Sequence, residues 1–197
     1  NNLKIKDIVC LGDMVGYGNQ PEKVVDLFKE NKISCVLGNH ELAIIDEKEL
    51  NNFNVYARKI LLSTKDKLSR DSIEFIKSLP NHIVKYGCLF VHGTPIDKVT
   101  KYIKYNSEYK LLEIFQKMDH DIAFVGHTHV LKLYSYKNNK IEIEGLSEGT
   151  VKLDKDKKYI VNCGSVSQPR DGIEKSKYII FDKDNFSLEF RYINYKD

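Results

Sequence analysis

The 197-residue chain has 42% hydrophobic and 30% charged residues, enough apolar material for one well-buried core spanning 1–197. Its 31 basic and 28 acidic side chains leave a net charge of only +3, which gives no nucleic-acid patch; the run KLDKDKK (152–158) mixes signs and reads as a solvated turn. No apolar run approaches a membrane span and NNLKIKD carries no signal-peptide pattern, so a cytoplasmic protein with no membrane partner is expected.

The chain opens on an apolar run, KDIVCL (6–11), followed by a glycine-broken loop, GDMVGYGNQ (12–20). Pro21 then starts an amphipathic helix, as proline does at a first helical position. A second short run, ISCVL (33–37), stops at GNHE (38–41), completing a strand–loop–helix–strand–loop unit. Apolar spacing predicts two helices over 52–79, the second capped by Ser69 and stopped by Pro80. HIVKYGCLFVHG (82–93) reads as a hairpin with a tight Tyr86-Gly87 turn, and a helical pattern around 107–118 leads into DIAFVG (121–126). From 131 onward the pattern is strand after strand, with turns at 137–140 and 182–185. The fold expected is an α/β sandwich, two packed mixed sheets with helices outside. Cys10, Cys35, Cys88 and Cys163 show no C-x-x-C spacing and read as buried reduced thiols.

FVGHTHVLKLY (124–134) places His127 and His129 one residue apart. Alone the pair is near even between a metal hook and two polar turn residues, and His92 alone is more easily a strand-end histidine. The ends of the other runs decide it. KDIVCL ends at Gly12-Asp13, ISCVL at Gly38-Asn39-His40, CLFV at His92-Gly93, IAFV at Gly126-His127, and KYIVNCG at Asn162–Ser165. The C-terminal ends of strands converge on one sheet edge, where such folds bind ligands. Asp13, Asn39, His92, His127 and His129 form a mixed oxygen–nitrogen set without thiolate, which suits Mn, Fe or Zn. His82 and His120 fall outside the pattern. Two other H-x-H enzyme classes do not fit: Val130 and Leu131 follow the pair where a metallo-β-lactamase needs an Asp and a His, and an amidohydrolase carries its pair on the first strand.

The ordered motifs GDMVG (12–16), GNHE (38–41), VHG (91–93) and GHTH (126–129) resemble the calcineurin-like metallophosphoesterase superfamily. The further stretches FNVYAR, VHGTP and NCGSVSQPRDG resemble its small bacterial and archaeal phosphodiesterase branch. The resemblance implies a metal-dependent phosphodiesterase or phosphatase with two divalent ions. Asp13 would bridge both metals; Asn39, His92 and His127 would complete one, and His129 would serve the other. A bridging hydroxide would attack phosphorus, and His40 would be the general acid. Asn162 and Ser165 would line the site, and Arg170 is a weaker candidate for phosphate contact. Tyr17 lies beside Asp13 in the loop and is a further candidate.

The family also begins with a D-x-H strand that binds the first metal, and no D-x-H occurs here. The expectation is therefore a domain incomplete by its first strand and helix. A catalytically inactive binding or scaffold protein of the same fold is the competing reading. The expected partner is a small-molecule phosphoester or nucleotide, with residues 94–118 as the segment placed to set specificity.

Overall fold

The computed structural model describes residues 4–97, 99–103 and 107–195. In chain order the elements are β1 (Val9–Cys10), α1 (Pro21–Glu30), β2 (Ser34–Cys35), α2 (Asn39–Ile45), a 3-10 turn (Glu47–Asn52), α3 (Val55–Lys65), α4 (Arg70–Lys77), β3 (His82–Lys85) and β4 (Cys88–Val91). There follow α5 (Glu108–Lys117), β5 (Ile122–Val125), β6 (Leu131–Lys137), β7 (Lys140–Gly145), β8 (Gly149–Lys152), β9 (Lys158–Cys163), β10 (Ser176–Asp182) and β11 (Ser187–Ile193).

Local chemistry accounts for most boundaries. Pro21 opens α1, and the side chains of Asn54, Ser69 and Ser107 accept the backbone N–H three residues on, capping α3, α4 and α5. Tyr86 and Gly87 both take positive φ in the β3–β4 turn, as do Asn138 and Asn139 between β6 and β7, which is what a two-residue hairpin requires. Two expectations are corrected. The first two apolar runs form only two-residue strands, β1 and β2, paired parallel with each other. GNHE is not a loop: Asn39 begins α2, with Glu41 in its first turn.

The strands form a mixed six-stranded sheet in the order β3-β4-β5-β9-β6-β7, a three-stranded antiparallel sheet β10-β11-β8, and the β1–β2 pair. Alternation along the central strands sends side chains to two cores. Cys88, Ile122, Phe124, Leu133, Tyr159 and Val161 meet Leu188, Phe190 and Phe181 of the three-stranded sheet. Leu89, Val91, Ala123, Val125 and Ile160 meet Leu111, Ile114 and Phe115 of α5. Each large side chain buried this way contributes about 1.5–3 kcal/mol. The expected sandwich with outer helices is what the chain forms. Cys35 and Cys88 are buried, Cys10 and Cys163 half-buried, and all four are free thiols. Among the described residues no helix is long and apolar enough to cross a membrane.

β4, β5 and β9 are parallel neighbours, so His92, Gly126 and Cys163 emerge at one edge. Gly126 N–H donates to His92 O at 2.9 Å, and the His92 ring reaches the Leu11 carbonyl at the end of β1. The fold thereby brings the loops after β1, β2, β4 and β5 together.

Candidate metal centre

Asp13, His127 and His129 have φ of 56°, 62° and 59°. Among the described residues, every other non-glycine residue with positive φ (Lys32, Tyr86, Asn138, Asn139 and Phe186) sits in a turn between regular elements. Left-handed backbone at three polar residues of one edge is strain of the kind held at functional sites. Gly38 makes the crowding possible: a Cβ there would collide with the backbone nitrogen and the carboxylate of Asp13.

The protonation of His92 follows from its partners. Its Nδ1 lies 2.5 Å from the Leu11 carbonyl, which only accepts, so Nδ1 carries the hydrogen. Nε2 of the neutral ring is then a lone pair. It faces Asn39 Oδ1 at 2.9 Å, His127 Nδ1 at 2.9 Å and Asp13 Oδ2 at 3.3 Å. Carboxylate, amide and imidazole atoms thus meet at one buried point, a grouping suited to a cation. Burial works against charge on His92, but the Asp13 carboxylate outweighs it and raises the pKa. Asp13 shows the reciprocal effect, with burial opposed by His92 and His40, which hold its carboxyl far below the usual range.

Ligating atoms of Asp13, His92 and His127 lie within 4.8 Å of one another. Burial, and then the neighbouring His92, pushes His127 down to about 3; burial, and then Arg170, lowers His129. Both imidazoles are therefore neutral near pH 7, as metal ligands must be. His127 Nε2 is buried without a well-formed hydrogen bond among the described residues. His129 donates Nδ1–H to Gln168 O at 2.7 Å, which leaves Nε2 as its lone-pair nitrogen. The donor set fits a divalent transition metal: one carboxylate, one amide oxygen and three neutral imidazoles.

His40, 5% exposed, stands beside this group. Its Nδ1 bonds the Val15 carbonyl at 2.8 Å, and its Nε2 lies 3.8 Å from Asp13 Oδ2. Asp13, Tyr17, Asn39, His40, His127, His129 and Arg170 all line one cleft of about 240 Å³. A larger depression of about 450 Å³ elsewhere is lined by Lys137, Lys155, Lys157 and Asp156, but Lys137 and Lys157 are paired with Asp154, Asp156 and Glu142. It assembles no comparable ligand set.

Comparison with known proteins agrees with this geometry. The model of the calcineurin-like phosphoesterase superfamily domain matches residues 1–185. This chain belongs to that superfamily. The uncharacterized protein MJ0912 of Methanocaldococcus jannaschii is 36% identical over 198 residues, covering 98% of this chain and 78% of its own. A metallophosphoesterase from Sphaerobacter thermophilus superposes with a TM-score of 0.82 at 32% identity, over 98% of this chain and 79% of the other. The hypothetical protein PH1004 from Pyrococcus horikoshii OT3 gives 0.77 at 17% identity, over 98% and 77%, a likeness of fold alone.

Asn162 and Ser165, expected to line the site, make local contacts at the end of β9. Asn162, 1% exposed, donates to Gly126 O at 3.2 Å and Thr128 Oγ1 at 2.7 Å, bracing the GHTH loop rather than facing the cleft. Ser165 Oγ accepts the Gln168 N–H at 2.9 Å. Sequence reading passed over other residues. Glu41, fully buried, accepts the backbone N–H of Asp13, Val15 and Gly38; burial and then the Asp13 charge raise its pKa. Phe53, Asn52 and Tyr102 also line the cleft. The Tyr102 ring stacks on His127 with centroids 3.6 Å apart. Only the position of Glu41 inside GNHE could have flagged it, and there it reads as a helix-start acid.

Proposed function

We propose that this chain hydrolyses small-molecule phosphoesters with the help of two divalent metal ions. What carries the reading is the convergence of Asp13, Asn39, His92 and His127, whose carboxylate, amide and imidazole atoms meet at one buried point. Asp13, Asn39, His92 and His127 would hold one cation, with His129 serving another beside Asp13; Mn, Fe or Zn suits this donor set. When bound, such ions supply an acidified water as nucleophile and neutralise charge on the phosphate oxygens.

The remaining work falls to the chain itself. The Val15 carbonyl fixes the His40 ring by its Nδ1, which leaves Nε2 toward the cleft side of Asp13. As the imidazolium, His40 would donate its Nε2 proton to the departing oxygen. Arg170, exposed on the cleft wall, would contact a phosphate oxygen. Tyr17 and Phe53 flank His40, with ring centroids at 5.3 and 5.6 Å, so they border the space where the leaving group would lie. A nucleotide or another small phosphodiester is the substrate class proposed.

The test is to load the protein with Mn²⁺, remove the excess, count metal per chain by elemental analysis and assay bis(p-nitrophenyl) phosphate. Metal binding with hydrolysis, both lost in Asp13→Asn, supports the reading. Neither metal nor hydrolysis would leave the chain a binding protein of the phosphoesterase fold.

A further inference from the structure

Lys177 is the second residue of β10, yet its side chain is wholly buried. Its Nζ donates to Asp171 Oδ1 at 2.9 Å and to the Ile173 carbonyl at 2.6 Å. The carboxylate of Asp171 also accepts the backbone N–H of Leu131 and of Ile173, each at 3.3 Å. A buried ion pair is no more stabilising than an apolar pair of similar volume, because desolvation offsets the attraction. What such a pair can do is fix one geometry, and the geometry at stake here is that of His129.

The segment from Ser165 to Lys177 is closed at its base by Lys177 N–H on the Ser165 carbonyl, at 2.9 Å. Between those ends it makes three bonds to the strand entry that carries His129. Gln168 O takes the ring Nδ1–H at 2.7 Å, Arg170 N–H donates to His129 O at 3.0 Å, and Asp171 Oδ2 takes Leu131 N–H. His129 itself has φ of 59°, a conformation a non-glycine residue keeps only when its surroundings over-determine it.

We infer that the Asp171–Lys177 ion pair is a positioning device: it clamps the 165–177 segment so that Gln168 and Arg170 hold His129 in its left-handed conformation, with Nδ1 protonated and Nε2 free to ligate. Its bearing on catalysis rests on His129 being a metal ligand, as proposed above. Neither residue touches the cleft, and both act through His129.

The decisive variant is Asp171→Leu/Lys177→Met, which leaves no unpaired buried charge and so should still fold. Its readout on metal-free protein is the ¹⁵N spectrum of the imidazole rings at pH 8. Wild type should show His129 as a single Nδ1–H tautomer, and the folded double variant should show a mixture. On titration with Mn²⁺, the affinity of the site that includes His129 should fall about ten-fold or more, the scale for losing a partner that orients a ligand, with the Asp13/Asn39/His92/His127 site unchanged. A folded double variant with the wild-type tautomer overturns the inference, as does a wild type whose His129 is already mixed. Should the double variant not fold, the isosteric Asp171→Asn is judged by the same tautomer criterion. Failure of wild type to bind Mn²⁺ would count against the proposed function alone, because the tautomer is read without metal.

Discussion

Glu41 Oε2 accepts the backbone N–H of Asp13 at 2.8 Å across 28 residues of sequence, and the same oxygen takes the Gly38 N–H at 2.9 Å. With Oε1 on Val15 N–H at 3.2 Å, one buried carboxylate joins the loop after β1 to the loop after β2. Glutamine has a single acceptor oxygen, so in Glu41→Gln at least one of these amides would face an NH₂ group. An unsatisfied buried donor costs about 1–3 kcal/mol. For a chain of this size that is a fall in melting temperature of roughly 2–4 °C per kcal/mol, and Mn²⁺ affinity should drop with it because Asp13 is displaced. A Glu41→Gln protein that melts and binds metal as wild type does would show that the two loops are held by something else.

His40 is placed by Val15 and lies beside Asp13 outside the Asp13/His92/His127 cluster. His40→Ala should therefore keep its metal and lose about 10²–10⁴ in turnover on an alkyl ester, whose leaving group needs a proton. On a p-nitrophenyl ester, which leaves unaided, the loss should be much smaller. Steady-state rates on the two esters, with metal content measured alongside, separate the roles. Equal losses on both, with metal gone, would make His40 a structural residue.

Much of the candidate site is legible because the residues proposed as ligands follow apolar runs at glycines: Asp13, His92 and His127 each come just after a strand segment whose period marks it. The hairpin turns and helix caps were equally plain, since they rest on local chemistry. What could not be read depends on tertiary placement. α2 has only seven residues, too short for a helical period to emerge after the Gly38-Asn39 turn signal. Lys177 sits in a strand pattern where lysine ordinarily faces water, and nothing in SKYIIFD marks it as buried against a loop residue six positions earlier. Asn162 stands near the end of β9, but whether its amide faces the cleft or the GHTH loop is decided by Thr128, a partner found only in space.

Tyr102 lies in the segment expected to set specificity. It is held there by Ile103, which is 2% exposed in the α5 core, and by the close approach of the Asp97 and Lys101 carbonyls to Gly93. Its ring covers His127 at the cleft wall. Tyr102→Ala should widen the cleft without removing a ligand. The expected result is a KM several-fold higher for an aryl phosphodiester, with kcat changed much less, the pattern of lost uniform binding. A large fall in kcat at constant KM would instead place Tyr102 in the chemistry.

The Asp171–Lys177 pair gives the stability of the fold a specific acid dependence. Burial disfavours the charged carboxylate, but the bond from Lys177 and the N–H groups of Leu131 and Ile173 outweigh it, so the pKa of Asp171 lies below its ordinary 3.8. A carboxyl depressed on folding contributes stability above its unfolded pKa and loses it as pH falls through the folded value. Asp171→Asn cannot titrate, and it leaves Lys177 without its counter-charge, a change on the order of 3 kcal/mol for a buried pair. The gap in unfolding free energy between wild type and Asp171→Asn should therefore hold steady from neutral pH down to about 4 and close below it. Denaturant melts of both proteins at intervals between pH 7 and pH 3 measure that gap. A gap that does not narrow below pH 4 would mean the Asp171 charge contributes nothing to the fold.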